Sequence, residues 1–214
     1  MKLSPIREMA LGAVLWLPLC FFLWFYLASP IVFPVSWLTN VVLSGLVPGI
    51  VDHVQQFGYI LEVQTLLPPE RVVAGAGQGT PVIVLQLNPM IYAYGFPLLA
   101  GLVMATPTSG RRRALQIVLG YLVLVPVQVW GVSWEVLKTV GFELGPGGEQ
   151  AIRAAGLNLD VVGFCYQFGY LIFPAVTPII IWLLSNRRFL EVLVATPAGS
   201  EGARAADGEP PADD

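Results

Sequence analysis

Long apolar runs with very few charged residues constrain this chain more than any other feature of its sequence. A run of about 20 such residues crosses the roughly 30 Å hydrocarbon core of a membrane as one helix. The chain is 56% hydrophobic and 12% charged, whereas soluble domains carry about 25% charged residues. The sequence therefore predicts an all-α membrane protein with four transmembrane helices, at about residues 10–28, 90–105, 114–138 and 161–184.

A further apolar segment, residues 31–51, is predicted to form a helix that lies in the membrane interface or re-enters the membrane from one side. Ser36, Asn40 and Ser44 recur at every fourth position of this segment. They place one polar stripe on an otherwise apolar helix, which is typical of a helix with one face toward polar surroundings.

The basic residues that flank the spans decide how many times the chain crosses. Positively charged loops stay in the cytoplasm. Four spans place all three basic clusters and both termini on that side, whereas a fifth span would divide the clusters between the two sides. The clusters are Lys2 with Arg7, then Arg111, Arg112 and Arg113, and finally Arg187 with Arg188.

Residues 52–88 are then extracytoplasmic, and the sequence predicts a small β-hairpin in them. FGYILEVQTLL and PVIVLQL are rich in strand-forming residues, and prolines and glycines separate them. A lone hairpin is marginally stable in water, so it is expected to rest on the helix 31–47 or on the outer helix ends. Asn88 and Pro89 follow, and they suit the cap and the first turn of the next helix.

The remaining boundaries follow from these elements. Residues 1–9 are a predicted cytoplasmic N-terminus, residues 10–51 hold the first transmembrane helix and the interfacial helix, and residues 89–195 hold a three-helix transmembrane region. Residues 196–214 are rich in Ala, Pro, Gly and acidic residues and lack aromatic residues. This composition predicts a disordered cytoplasmic tail.

Polar and tyrosine side chains from three predicted spans collect toward the outer side of the membrane. Such residues are functional-site hypotheses by default. The alternative is an aromatic belt with ordinary helix–helix hydrogen bonds, in which Glu135 pairs with Lys138 at the surface. The functional interpretation is a lateral groove for a peptide or lipid segment. Its candidate binding residues are Asn88, Tyr92, Tyr94, Gln128, Glu135, Tyr166, Gln167 and Tyr170.

Other classes of chemistry find little support in the sequence. No Cys/His cluster has metal-ligand spacing, so neither a metal nor another cofactor is predicted. No basic patch with interleaved aromatic residues occurs, so the predicted surroundings are the lipid bilayer and not nucleic acid. One catalytic arrangement stays open: Cys165 as nucleophile with His53 as base, which requires hydrogen-bond contact between them.

Four blocks of the sequence resemble one known family. In order, they are WLPLCFFLWFYLASP, NPMIYAYGFPLLAGLVMATP, VPVQVWGVSWEVLK and YQFGYLIFPAVTPIIIWLLSNRRFL. Together they resemble the exosortase H-associated membrane proteins. The resemblance implies that the chain accompanies an exosortase in the inner membrane of Gram-negative bacteria. Exosortases are transpeptidase-like membrane enzymes that sort proteins with a C-terminal signal.

The chain does not resemble the exosortase itself. That enzyme is expected to use an intramembrane Cys with Arg and His partners, and no arginine lies inside a predicted span here. The predicted function is therefore a non-catalytic accessory role, in which the chain binds or positions the sorting enzyme or the transmembrane tail of its substrate. The alternative function is an intramembrane cysteine hydrolase or transpeptidase that uses Cys165 and His53.

The predicted topology can be tested with phosphatase fusions. Seven of the 11 Lys and Arg residues flank spans on one side, so a periplasm-dependent phosphatase fused at Gly75 should be active and one fused at Gly110 inactive. Activity is measured in intact cells, with immunoblots to show equal fusion levels. The reverse pattern of activity would refute the four-span topology.

Overall fold

The computed structural model describes residues 5–68, 82–187 and 189–191. Lys2, Arg188, the glycine-rich residues between the two predicted strands and the tail 196–214 lie outside the described residues. The elements, in chain order, are α1 (Pro5–Tyr26), α2 (Ala28–Leu46), β1 (Val51–Phe57), β2 (Ile60–Thr65), β3 (Val84–Leu87), α3 (Met90–Ala93), α4 (Gly95–Ala105), α5 (Gly110–Glu143), α6 (Gly145–Ala154), α7 (Leu159–Gln167), a π-helical turn (Phe168–Ile172) and α8 (Phe173–Ser185).

Four helical segments among the described residues are long and apolar enough to cross a membrane, which confirms the predicted fold class. They are Ile6–Tyr26, Ala28–Leu46, Gly110–Glu143 and Leu159–Ser185. The identity of one segment differs from the prediction. Ala28–Leu46 has the length of a span because its helix begins before Pro30 and runs through Pro34, whereas Met90–Ala105 is shorter and is broken at Tyr94.

The path of the chain through α1 and α2 does not reverse. Leu27 donates a backbone hydrogen bond to Leu23, and Ile31 donates one to Leu27, so helical bonding continues across the junction. A returning helix would pack along α1, but α2 has few contacts with α1 and packs mainly on α5 and β1. The neighbour of α1 is α4, which runs antiparallel to it: Gly12 lies against Ala105, and Gly101 lies against Leu17.

The region predicted to be extracytoplasmic contains a three-stranded antiparallel sheet with the order β1-β2-β3. Strands β2 and β3 correspond to the predicted hairpin, with Leu61 opposite Leu87 and Val63 opposite Leu85. The prediction missed β1, which pairs with β2 through a turn at Gly58, where φ is 63°. An irregularity in register near Val51 breaks the alternation of polar and apolar residues, so β1 has no clear strand pattern in the sequence.

The sheet rests on α2, as expected from the marginal stability of an isolated hairpin. The backbone N–H of Val54 donates to Oδ1 of Asn40 at 2.8 Å, and Nε2 of Gln56 donates to the carbonyl oxygen of Ser29 at 2.9 Å. Ser36 is buried beside these residues, between α2 and β1. The polar residues of α2 therefore face the free edge of β1, where an unpaired N–H group would otherwise carry a cost.

The hydrophobic core forms along one side of α5. Buried valines recur at every third or fourth position of this helix and pack with α2, the sheet, α6 and α7. At 1.5 Å per residue, the 34 residues of α5 extend about 50 Å, which is about 20 Å more than a bilayer core. One end of α5 therefore lies outside the membrane. The valines are Val125, Val129, Val132, Val136 and Val140.

Two glycines permit the closest approach between α5 and its neighbours. A Cβ atom on Gly131 would clash with the ring of Tyr92, and one on Gly169 would lie 2.9 Å from the Cα atom of Gly131. The π-helical turn and α3 therefore both pack directly on the α5 backbone. Small residues serve this purpose in membrane helix packing because they let backbones approach closely.

This close packing predicts a difference between two Gly→Ala variants. Gly131→Ala should lower the free energy of unfolding by about 1–3 kcal/mol, since the added methyl group displaces Tyr92. Gly45→Ala is the matched control, because no atom lies within 4 Å of the Cβ position at this helical glycine; it should leave stability unchanged or raise it by up to about 1 kcal/mol. Unfolding is measured in detergent, and equal stabilities of the two variants would refute this account of the packing.

Candidate functional site

Side chains from α3, α5, α7 and the π-helical turn, one from each, meet at one place in the structure. We refer to these four, Tyr92, Lys138, Tyr166 and Tyr170, as the tyrosine cluster. The rings of Tyr166 and Tyr170 stack, with centroids 5.7 Å apart and an interplanar angle of 14°. The ring of Tyr92 meets that of Tyr170 edge-on at 6.2 Å. Nζ of Lys138 lies 5.5 Å from the Tyr166 centroid, which suits a cation–π interaction.

Two acidic residues of α5, Glu135 and Glu143, border the tyrosine cluster. Lys138 forms an ion pair with Glu143. The pair between Lys138 and Glu135 that the sequence suggested does not form. Glu135 instead lies near Lys138 and Tyr166 and beside the hydroxyl group of Tyr92, although the Glu135–Tyr92 pair falls outside ordinary hydrogen-bond geometry. Its Oε2 atom is buried and has no hydrogen-bond partner among the described residues.

Several buried polar groups near the cluster lack partners within the described part of the chain. Tyr92 is 1% exposed, and its hydroxyl group has no hydrogen-bond partner there. Gln128 is also 1% exposed, and both ends of its amide lack partners, as does the hydroxyl group of Ser133. A buried polar group without a partner carries a cost of about 1–3 kcal/mol. Such groups are therefore expected to serve an interaction or to bind water.

The π-helical turn shapes the exposed side of the cluster. In this turn the N–H of Phe173 bonds to the carbonyl of Phe168, five residues back, and Pro174 has no N–H group to donate. The carbonyl oxygen of Cys165 accepts a hydrogen bond from Nε1 of Trp130 at 3.1 Å. A side chain of α5 thus bonds to the backbone of α7 just before the π-helical turn. Single π-helical turns within α-helices occur frequently at functional sites.

The other predicted binding residues lie at the edge of the cluster or away from it. Asn88 accepts a hydrogen bond from the N–H of Met90 at 3.1 Å and caps α3, as its position before Pro89 predicted. Tyr94 is half-buried at the junction of α3 and α4. Gln167 is exposed beside Tyr166. The structure thus brings Tyr92, Glu135, Tyr166 and Tyr170 together.

The alternative catalytic pair has no supporting contact. His53 lies on β1 and its Nδ1 bonds to Asp52 at 2.8 Å, and the main contacts of β1 are with α2 and β2. Cys165 lies on α7, which packs on α5 and α6. Within the described residues, no group of three His, Cys, Asp or Glu side chains is arranged to hold a metal ion.

Lys138, Trp130 and Ser133 were not among the predicted site residues. Trp130, Trp134 and Lys138 recur at every fourth position of α5, and this spacing places a cation and two indole rings on one side of the helix. The rings of Trp130 and Trp134 are 5.5 Å apart. The spacing was therefore the sequence signal for this part of the site.

The comparison with known families agrees with this architecture. The sequence profile of the family described as exosortase H-associated membrane protein matches residues 3–189. The chain belongs to this family. The family's description indicates association with exosortase H and a location in the membrane, which confirms the resemblance seen in the sequence. Neither a curated protein nor a solved structure matches the chain.

The unpartnered amide of Gln128 predicts an unusual response to mutation. Gln128→Leu should change the free energy of unfolding by no more than about 0.6 kcal/mol, or raise it, because no internal hydrogen bond is lost. Tyr121→Phe is the contrast on the same helix face. It removes the bond from the Tyr121 hydroxyl group to the carbonyl oxygen of Ile31 at 2.8 Å and should cost about 0.5–1.5 kcal/mol.

Both variants are measured by unfolding in the same detergent, after gel filtration has shown that they are monodisperse. A loss of stability in Gln128→Leu as large as that in Tyr121→Phe would show that the Gln128 amide has an internal partner.

Proposed function

We propose that this protein is a non-catalytic accessory protein of the inner membrane of Gram-negative bacteria, with both termini in the cytoplasm. It binds the exosortase-type enzyme, or the transmembrane tail of the protein that this enzyme sorts, and holds it in position. Membership in the family supports an association with exosortase H. The tyrosine cluster supports the more specific role of binding.

The observation that carries this proposal is the contrast between the rim and the interior of the tyrosine cluster. At the rim, Tyr170 is 41% exposed and its ring stacks on that of Tyr166. In the interior, the Tyr92 hydroxyl group lies close to the Glu135 carboxylate but outside ordinary hydrogen-bond geometry, and neither the hydroxyl group nor Oε2 of Glu135 has another partner among the described residues. A folded chain rarely buries such groups without a use for them. A partner helix would pack at the rim against the ring of Tyr170, which the described residues leave partly uncovered.

The neighbouring surface of α7 and the π-helical turn suits a transmembrane partner. Phe164 and Leu171 are 60% and 61% exposed, and such apolar residues contact either lipid or another helix in a membrane. Polar and aromatic side chains give the specificity that lipid contact lacks, since interfaces owe most of their binding energy to a few aromatic and charged anchors. Tyr166, Tyr170 and Lys138 supply such anchors here.

Site-specific photocrosslinking tests this proposal. A benzoyl-phenylalanine at Gln167, in the full chain expressed with tagged exosortase and tagged substrate, should crosslink to one of the two. The same probe at Phe22, which is 69% exposed on α1, is the control and should give only background. Tyr170→Ala should reduce the crosslink from position 167 roughly tenfold, as expected for loss of an aromatic anchor.

The identity of the crosslinked protein distinguishes the two forms of the role. A crosslink to the enzyme shows that the chain positions the enzyme, and a crosslink to the substrate shows that it holds the transmembrane tail. Equal crosslinking from positions 167 and 22 would refute a specific binding surface at the tyrosine cluster.

The same cells test the catalytic alternative. Cys165→Ser and His53→Ala should each leave processing of the substrate unchanged, because the two residues lie on elements without substantial mutual contact and a nucleophile needs its base within hydrogen-bond reach. Loss of processing in both variants at normal protein levels would favour an enzyme over an accessory protein.

A further inference from the structure

A cavity at the opposite end of the helices is lined by two arginines. It has a volume of about 420 Å³ and lies between the connection from α4 to α5 and the end of α8. Arg112 extends from the first turn of α5, and Arg187 follows α8. The other described residues that line it are Thr106, Pro107, Thr108, Leu184, Ser185, Asn186 and Phe189.

The charge of this cavity is not neutralised by the described residues. None of those that line it is acidic, and neither Arg112 nor Arg187 takes part in an ion pair found among them. Two guanidinium groups at one cavity repel each other unless an anion lies between them. The planar guanidinium group also matches a phosphate group with two parallel hydrogen bonds.

Hydrogen bonds hold the walls of the cavity in place. Thr106 is the centre of this frame: Arg113 donates to its carbonyl oxygen at 2.9 Å, and Nε1 of Trp182 donates to its hydroxyl group at 2.9 Å. On the other wall, Gln116 donates to the carbonyl oxygen of Ser185 and to Oδ1 of Asn186. The backbone around the cavity is thus held in place before any ligand arrives, which lowers the entropic cost of binding.

The apolar part of the cavity indicates what kind of anion fits. Leu184, which is 54% exposed, and Phe189 both line the cavity. A ligand with a phosphate group at the arginines and a hydrocarbon chain along Leu184 would satisfy both parts. Arginines 111 to 113 and Arg187 place this end on the cytoplasmic side by the positive-inside rule, and anionic lipids of that leaflet concentrate at such basic pockets.

We propose that this cavity binds the phosphate headgroup of an anionic phospholipid of the cytoplasmic leaflet, with Arg112 and Arg187 as its ligands. The proposal concerns the end of the protein remote from the tyrosine cluster and does not depend on any exosortase partner. Bound lipid would join the start of α5 to the segment that follows α8, because Arg112 lies in the first and Arg187 in the second.

Lipid binding to the purified full chain tests this site. Delipidated protein in neutral detergent is titrated with phosphatidylglycerol, and binding is measured by native mass spectrometry and by the shift in melting temperature. The double variant Arg112→Gln/Arg187→Gln should bind phosphatidylglycerol roughly tenfold to thirtyfold more weakly. Arg111→Gln is the matched control, because this neighbouring arginine does not line the cavity, and it should bind as the wild type does.

Further arms separate the possible sources of phosphate. Phosphatidylcholine should bind much more weakly than phosphatidylglycerol, and inorganic phosphate should give no shift at the same concentration. A shift with inorganic phosphate equal to that with lipid would overturn the lipid assignment. Equal losses in Arg111→Gln and in the double variant would show general surface charge and overturn the site.

A conservative variant keeps the test decisive if the glutamine variant does not fold. Arg112→Lys/Arg187→Lys retains both charges but removes the planar fork, so its affinity should fall between those of the wild type and the glutamine variant. Wild-type affinity in the lysine variant, together with wild-type affinity in Arg187→Gln alone, would exclude recognition by these two guanidinium groups.

Discussion

The burial of one face of α5 is the interaction on which the rest of the structure depends. This helix packs against α2, α4, α6, α7 and α8 and also contacts β3. Its buried valines and the backbone at Gly131 form the surface on which the π-helical turn and α3 lie. Because α5 is longer than a bilayer is thick, the same helix connects elements within the membrane to elements outside it. The tyrosine cluster lies near one end of α5, and the cavity lined by Arg112 and Arg187 lies near the other.

The polar groups inside this membrane protein fall into two sets, those with a hydrogen-bond partner and those without one. Asn40, Asn88 and Tyr121 each bond to a backbone group, so each stabilises a strand edge, a helix end or a helix contact. Tyr92 and Gln128 are more deeply buried, yet they have no hydrogen bond of ordinary geometry among the described residues. Stability alone explains the first group. It does not explain the second, because an unpaired buried polar group lowers stability.

The relation between sequence and structure differs from one element to another. Residues 114–138 show a clear span because length and hydropathy suffice to identify a membrane helix. The start of α2 was placed too late, because the helix begins at Ala28 and accommodates both Pro30 and Pro34. Strand β1 was missed because a bulge interrupts its alternation of polar and apolar residues. One of its stabilising contacts, the bond from the N–H of Val54 to Asn40, also joins residues 14 positions apart, which no local pattern shows.

The sequence by itself determined the membrane class, the residues that supply the spans α1, α5 and α7–α8, the strands β2 and β3, the cap at Asn88 and the resemblance to the family. These features depend on local composition, periodicity and spacing. Only the tertiary structure decided which acid pairs with Lys138, that Tyr166 and Tyr170 stack near Tyr92, and that Arg112 and Arg187 share a cavity. Such contacts join residues far apart in the chain. They depend on how helices turn and pack, which no local pattern specifies.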